Sequence, residues 1–311
     1  MKRFRFIVMM MYVVMAFTAC TTLQPISFER LQPASVSFPE QVRKVGVVGY
    51  VSQAENEAQA TGLKGDRVLA AESLAQEIAE THYFDQVIIS DSILPDQPVD
   101  HLIQTMDVDM LFVMEQIDIQ LMEGTLFLPE LMLAVPAIDA AVTPLIRVYT
   151  QKRKTPLFTV SKTDTISWEY RPDLTQEQVV KEASEYAAVM SMNDLLPYWE
   201  EIHRCYYDGG SVEMRDAGVY LREQEWERAA SLWEKVYAQK KGKSKMRAAF
   251  NLAVFHESQG NFEKAKEYLD AASRLAGEGT SDDGFINYYQ LQLESQASRN
   301  LQLKLQMKRF E

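Results

Sequence analysis

The chain has 311 residues, 47% hydrophobic and 24% charged, with 13 Gly and 11 Pro, a composition that excludes collagen-like, low-complexity and wholly disordered chains and leaves room for two domains. Its net charge of −12 repels phosphate, so general nucleic-acid binding is not expected, and two cysteines, Cys20 and Cys205, are too few for a disulfide-stapled fold.

Lys2, Arg3 and Arg5 precede an apolar run from Phe6 to Ala16, then Phe17-Thr18-Ala19-Cys20. A spanning helix needs roughly 20 apolar residues, so this shorter run reads as a cleaved export signal over residues 1–19. The segment ending in Cys20 resembles the lipobox of bacterial lipoproteins, with Phe17 where Leu is usual. That resemblance implies acylation of Cys20 and a membrane held as partner through the lipid. Thr21 follows, not Asp, which by the same resemblance implies the outer membrane; the lack of an acidic cluster after Cys20 favours the periplasmic face. An ordinary secretory signal that happens to abut a cysteine is the alternative. Residues 20–40 carry Pro25, Pro33 and Pro39 with little periodicity and are expected to be a tether, reaching roughly 60 Å at about 3.1 Å per residue. Cys205 would then be the lone thiol, expected as a small buried residue near a helix end, or else as a partner in an intermolecular bridge.

Residues 41–200 predict an α/β domain. Val45, Val47 and Val48 form a buried strand ending at Gly49; Asp66 is placed to cap a helix with the stripe Val68, Ala71, Ala75 and Ile78; Val87-Ile88-Ile89 is a second strand. A crossover of this length favours parallel pairing. A short helix is expected between Val99 and Met106, then a strand from Met110 that alternates through Ile117, Ile119 and Leu121. Further strands are expected around Leu145–Tyr149 and Leu157–Val160, the latter continuing through Ile166, Trp168 and Tyr170. Thr175-Gln176-Glu177-Gln178 has capping-box spacing ahead of a helix. The order β-α-β-(α)-β-β-β-α, behind a lipobox, resembles the small α/β domain shared by the curli-secretion lipoprotein, the periplasmic Tol propeller protein and the lipoprotein activators of penicillin-binding proteins. What it implies is binding and assembly rather than catalysis.

Within this domain, Gly124 to Ile146 is strongly apolar, with Phe127, Leu131 and Leu133 among eight large apolar or β-branched residues and with Glu130 and Asp139 its acids. Pro129, Pro136 and Pro144 prevent a long helix. Two readings stand: core strands or a loop folded under the sheet, or an apolar hairpin offered to a partner or membrane surface.

Residues 201–311 predict an all-α domain of helical hairpins. Trp226, Ala229 and Trp233 recur thirty-six residues later as Phe262, Ala265 and Leu269, and a third half-repeat starts at Asn287. Asn251-Leu252-Ala253 followed by Gly260-Asn261-Phe262, Ala265, Leu269 and Ala272 resembles the tetratricopeptide repeat; the first repeat departs from it at Asp216 and Gln224. By that resemblance Asn251 and Asn287 would face a groove for a partner peptide or helix. The segment Tyr198–Tyr207 is expected to pack the array on the α/β domain, and Asp208-Gly209-Gly210 to turn into the first repeat. Lys240, Lys241, Lys243, Lys245 and Arg247 read as a basic loop, a solvated connector or a contact for anionic glycan or lipid. The last residues, Leu301–Met307, read as helix with a strand as the alternative.

Motifs of catalysis are scarce. His82, His101, His203 and His256 are not spaced for metal, His256-Glu257 lacks the second His of a zincin helix, and Gly242-Lys243-Ser244 lacks the first glycine of a P-loop. No cofactor and no metal is expected. The sequence therefore points to a lipid-anchored outer-membrane protein that binds an envelope protein or peptide as a non-enzymatic adaptor or assembly factor, and it resembles outer-membrane lipoproteins of unknown function with tetratricopeptide repeats. A secretion or pore component inserting residues 124–146 in a membrane is the second reading, and a cell-wall hydrolase the third.

Overall fold

The computed structural model describes residues 22–50, 62–90, 93, 97–151 and 153–311; the signal segment and Cys20 lie outside the described residues. In chain order the elements are β1 (Thr22–Gln32), β2 (Lys44–Gly49), β3 (Leu63–Lys64), α1 (Arg67–Glu80), β4 (Gln86–Ile89), α2 (Val99–Thr105), β5 (Met110–Leu128), β6 (Leu133–Thr150), β7 (Phe158–Val160), β8 (Asp164–Glu169), α3 (Gln176–Leu195) and β9 (Tyr198–Asp208). The helices α4 (Val212–Arg222), α5 (Trp226–Gln239), α6 (Gly242–Ser258), α7 (Phe262–Leu275) and α8 (Ser281–Met307) complete the chain, with a 3-10 turn at Lys308–Phe310. The architecture is the expected α/β sheet domain followed by a run of helices. The chain divides into two compact units, and these are interleaved: residues up to Gln32 join Trp199–Gln302, and Pro33–Tyr198 join Leu303–Glu311.

The α/β unit is built on a seven-stranded mixed sheet in the order β4-β2-β5-β6-β7, with β3 on β5 and β8 on β6. Val45, Val47 and Val48 of β2 are fully buried because the strand is central, with β4 and β5 both parallel to it and side chains packed on both of its faces. Asp66 caps α1 as expected, its Oδ1 accepting from the N–H groups of Val68 and Leu69, both at 3.0 Å. The buried face of α1 is Ala70, Ala71, Leu74, Ala75 and Ile78, so the stripe lies slightly off the one predicted and Val68 is only half-buried. Gly49 belongs where it does for a steric reason: a Cβ there would come within 2.8 Å of Val68 Cα at the start of that helix. Thr175 and Gln178 form the reciprocal capping box at the start of α3. The C-terminal residues seal this unit. Arg309 is 5% exposed, its guanidinium lying over the rings of Tyr83 and Phe84 at 4.3 and 4.8 Å.

The helical unit corrects the reading of residues 20–40 as a tether. Thr22–Gln32 is strand β1, paired with β9 in a two-stranded sheet. The cause is alternation: Leu23, Pro25, Ser27 and Glu29 are exposed, while Ile26, Phe28 and Arg30 turn inward against the helices. Domain boundaries shift accordingly, from 41–200 and 201–311 to the interleaved limits above. Tyr206 and Tyr207 of β9 are buried in the helical core with Trp233 and Phe250. Gly209 and Gly210 take φ of 85° and 92°, the turn their sequence predicted, and Ser211 caps α4. Trp226 and Phe262, thirty-six residues apart, each open a helix, α5 and α7. The segment Leu301–Met307 is helix, the end of α8, and its residues from Leu303 onward belong to the α/β unit.

Candidate functional site

Strands β5 and β6 outrun the rest of their sheet. β2 pairs with β5 as far as Met114, β3 pairs with it at Asp118 and Ile119, and β8 pairs with β6 from Ala137 to Val142. Beyond these limits, among the described residues, Thr125–Leu128 and Leu133–Pro136 form a ladder only with each other, as a two-stranded ribbon. The prolines fit this register. Pro144 falls between the stretches of β6 paired to β8 and to β7, where no ladder N–H is required, and Pro136 uses only its carbonyl, accepting from Tyr170 N at 2.9 Å. Pro129 sits in the turn, which closes through Leu131 N to Leu128 O at 3.2 Å with Met132 at φ 50°.

Directly opposed residues share a face of an antiparallel ribbon. One face carries the pairs Leu126/Val135 and Leu128/Leu133, the other Thr125/Pro136 and Phe127/Ala134, so both faces are apolar at the end of the ribbon. Phe127, Leu131, Met132 and Leu133 are 54, 69, 79 and 52% exposed. Of the two sequence readings, the structure therefore takes the projecting hairpin at the tip, while Ile117, Ile119, Ala140 and Val142 nearer the sheet are core. No Lys or Arg occurs between Gln116 and Ile146. Asp118 is held by Lys64 and by Gln116, which leaves Glu123, Glu130 and Asp139 as the remaining charges of that stretch, with Glu130 alone in the turn at the tip. Gly124 is required beside Asp139, whose carboxylate occupies the space a Cβ would fill.

The other residues singled out from sequence do not converge on one place. Asn251 is fully buried and bonded to the main chain of Tyr207, so it cannot line a groove; its amide closes strand β9 onto the helices. Asn287 is exposed and directed to Asp283 at 3.4 Å. The basic residues are not a free loop either, since Gly242 starts α6. Lys243 pairs with Asp282 at 2.9 Å, Lys245 lies over Tyr237 and Arg247 over Tyr207. His256 stacks on Tyr268 with rings 5.3 Å apart, and burial, then Lys264, depresses its pKa. Cys205 is a half-buried free thiol on β9, not at a helix end. Among the described residues no group of three or more His, Cys, Asp or Glu side chains is placed to hold a metal ion, and no helix is long and apolar enough to cross a membrane.

One charged cluster escaped the sequence reading. Glu257 is fully buried and takes both ends of the Arg204 guanidinium, at 2.8 and 2.7 Å, with the Tyr289 hydroxyl donating to it at 2.6 Å. Arg30 donates to the Glu257 carbonyl, fastening β1 to the end of α6. Burial and then the Glu257 charge push the Tyr289 hydroxyl well above its usual range. The signal available was weak: Arg30 and Arg204 stand at inward positions of two alternating strands, where a cation needs a buried acid.

A family model described as "Domain of unknown function (DUF8603)" matches residues 36–207, more than half of the chain. The chain belongs to this family. Residues 215–295, within the helices, match a second model, "Domain of unknown function (DUF6340)". No curated protein matches. Among solved structures, a PelC dodecamer from Paraburkholderia phytofirmans is similar at 11% identity, over 54% of this chain and 100% of that one, with a TM-score of 0.27. That likeness is too slight to bear on fold or function.

Proposed function

We propose that this member of the DUF8603 family is a lipid-anchored, non-enzymatic adaptor or assembly factor of the cell envelope, which holds a protein partner through the tip of the β5–β6 hairpin. The observation that carries the reading is the tip itself: four large apolar side chains, each more than half exposed, on a ribbon that the fold holds clear of its own sheet. Monomeric proteins seldom leave such a patch uncovered. The anchor reading rests on the resemblance of the segment ending in Cys20 to a lipobox, and the outer membrane with a periplasmic orientation is what that resemblance implies from the residues after Cys20. Its geometry is short, because Cys20 lies two residues before the start of β1. Acyl chains there would hold the first strand of the helical unit at the bilayer.

Insertion of the hairpin in a membrane is the rival. A ribbon with open backbone edges exposes unpaired N–H and C=O groups, each costing several kcal/mol in hydrocarbon, and Glu130 in the turn adds about 2.5–3.5 kcal/mol at mid-bilayer. A protein groove supplies partners for such edges, so the adaptor reading is preferred.

A photocrosslinking residue placed at Leu131 in intact cells, with one at the exposed Glu72 as control, tests it. A discrete adduct to one protein from position 131 alone is expected. Adducts to lipid alone, or the same products from both positions, would overturn the adaptor reading. Metabolic labelling with a fatty-acid analogue, comparing Cys20→Ser, tests the anchor separately.

A further inference from the structure

A cleft of about 830 Å³ in the helical unit runs beside β1. Five consecutive residues of that strand, Pro25 to Glu29, line it. Side chains of a strand alternate between faces, so a cavity touched by every successive residue reaches the strand's edge as well as one face, and Glu201 and His203 of β9 line that face with it. That edge is open: the sheet has two strands, and among the described residues β1 has β9 on one side and no strand on the other. Folded proteins ordinarily blunt such an edge with Lys, Pro or a covering element. Thr22–Gln32 contains no Lys, and past Pro25 no proline.

The edge is also held firmly. Phe28 packs edge-on against Trp226, with ring centroids 6.1 Å apart, and Arg30 lies over Phe262 while bonding to the end of α6. Trp226 and Leu221 give the cleft an apolar wall. Its charges are Glu29, Glu201 and Arg222, and Arg222 is already engaged at 3.3 Å by both Asp208 and the Tyr206 hydroxyl. Glu29 and Glu201 are exposed to an occupant, with the His203 imidazole, also exposed, 3.9 Å from the Glu201 carboxylate.

We infer that the free edge of β1 is a binding site for an extended basic peptide segment, which joins the β1–β9 sheet as a third strand. The main-chain groups of β1 supply the hydrogen bonds, the Leu221–Trp226 wall receives an apolar side chain, and Glu29 with Glu201 selects Lys or Arg. Five residues of strand span about 17 Å, and the cleft falls in the roughly 300–1,000 Å³ range of ligand sites, so a segment of five or six residues fits.

The test is an NMR titration of the full ¹⁵N-labelled chain with three synthetic hexapeptides: Lys-Val-Lys-Val-Lys-Val, its Glu-Val counterpart, and the basic peptide methylated on every backbone nitrogen. The basic peptide is expected to slow hydrogen exchange at least tenfold, at saturation, at alternate amides of Ile26–Arg30. The other two should leave those amides unchanged. Glu29→Lys with Glu201→Lys, both at exposed positions where the fold makes no closer contact than the 3.9 Å between Glu201 and the exposed His203, should transfer the preference to the acidic peptide. No protection of β1 at millimolar basic peptide, equal response to both charges, or binding undiminished by methylation would overturn the inference. None of these outcomes touches the hairpin, which lies in the other unit.

Discussion

Asn251 in α6 takes both main-chain groups of Tyr207 in β9: its Oδ1 accepts from the N–H at 2.8 Å and its Nδ2 donates to the carbonyl at 2.9 Å. One side chain thus performs the work of a strand rung at a place where a helix, not a strand, is the neighbour. Both groups are buried, and a buried polar group left unpaired costs roughly 1–3 kcal/mol. Asn251→Ala is therefore expected to lower the unfolding free energy by about 2–4 kcal/mol in urea, whereas Asn287→Ala, at an exposed position, should change it by less than about 0.5 kcal/mol. Equal effects would refute the assignment of Asn251 to the core.

Gln306 repeats the device in the α/β unit. Its Oε1 accepts from Ala34 N at 3.0 Å, and its Nε2 lies 3.0 Å from Ala34 O and 2.9 Å from Val36 O. The Tyr83 hydroxyl donates to the Gln306 carbonyl at 3.0 Å. Gln306→Leu, close in volume, should lower stability by about 1–3 kcal/mol and speed hydrogen exchange around Ala34. A variant ending at Gln302 should lose more, since it also withdraws the buried Arg309.

The Arg204–Glu257 pair is nearly or fully inaccessible at both ends. Removing one partner of such a pair leaves the other charge buried, at about 3–5 kcal/mol. Glu257→Ala is expected to fall in that range by thermal or urea unfolding, and Glu257→Ala with Arg204→Met to recover part of it. A double variant no better than the single would argue that packing, not the unpaired cation, sets the loss.

A pH effect follows from Tyr186, whose hydroxyl donates to Asp164 at 2.7 Å. Burial and then that carboxylate raise the phenol from 10.0 to about 12, and the same bond holds Asp164 below its usual range. A tyrosine raised on folding contributes stability that is complete below pH 10 and is lost as the pH climbs toward 12. The depressed Asp164 contributes stability above its unfolded pKa, lost as the pH falls below it. Tyr186→Phe should therefore lie closest to the parent chain at the two extremes of pH. A stability difference that stays constant from pH 3 to 12 would contradict this linkage.

At the hairpin, Leu131→Ser with Met132→Ser should leave thermal unfolding nearly unchanged, within about 0.5 kcal/mol, because neither side chain is in the core. The same change should shorten retention on a hydrophobic column. A large loss of stability would mean that the tip is covered by the molecule itself.

What the sequence made legible was local. The valine run of β2, the Asp66 cap, the Thr175 capping box and the Gly209-Gly210 turn are each decided by neighbours along the chain, and each stands where its residues place it. The apolar residues of 124–146 marked the hairpin, but whether they are core or exposed depends on where β2, β3 and β8 stop, which no periodicity within the segment records. Strand β1 was missed for a related reason: prolines at 25 and 33 suggested a tether, and its partner β9 lies more than 160 residues away. Asn251 was misjudged because a repeat pattern gives the face a position commonly adopts, whereas here an added strand covers that face. The basic residues at 240–247 looked free because their partners, Asp282, Tyr237 and Tyr207, are distant or aromatic.

The interleaving of the two units bears on how the polypeptide is made. Thr22–Gln32 is synthesised before every other described element, yet the strand it needs follows only after the whole of Pro33–Tyr198, while that intervening part awaits Leu303–Glu311 for its own seal. Each unit is thus completed by a segment remote from it in sequence, and no single cut yields either of them intact.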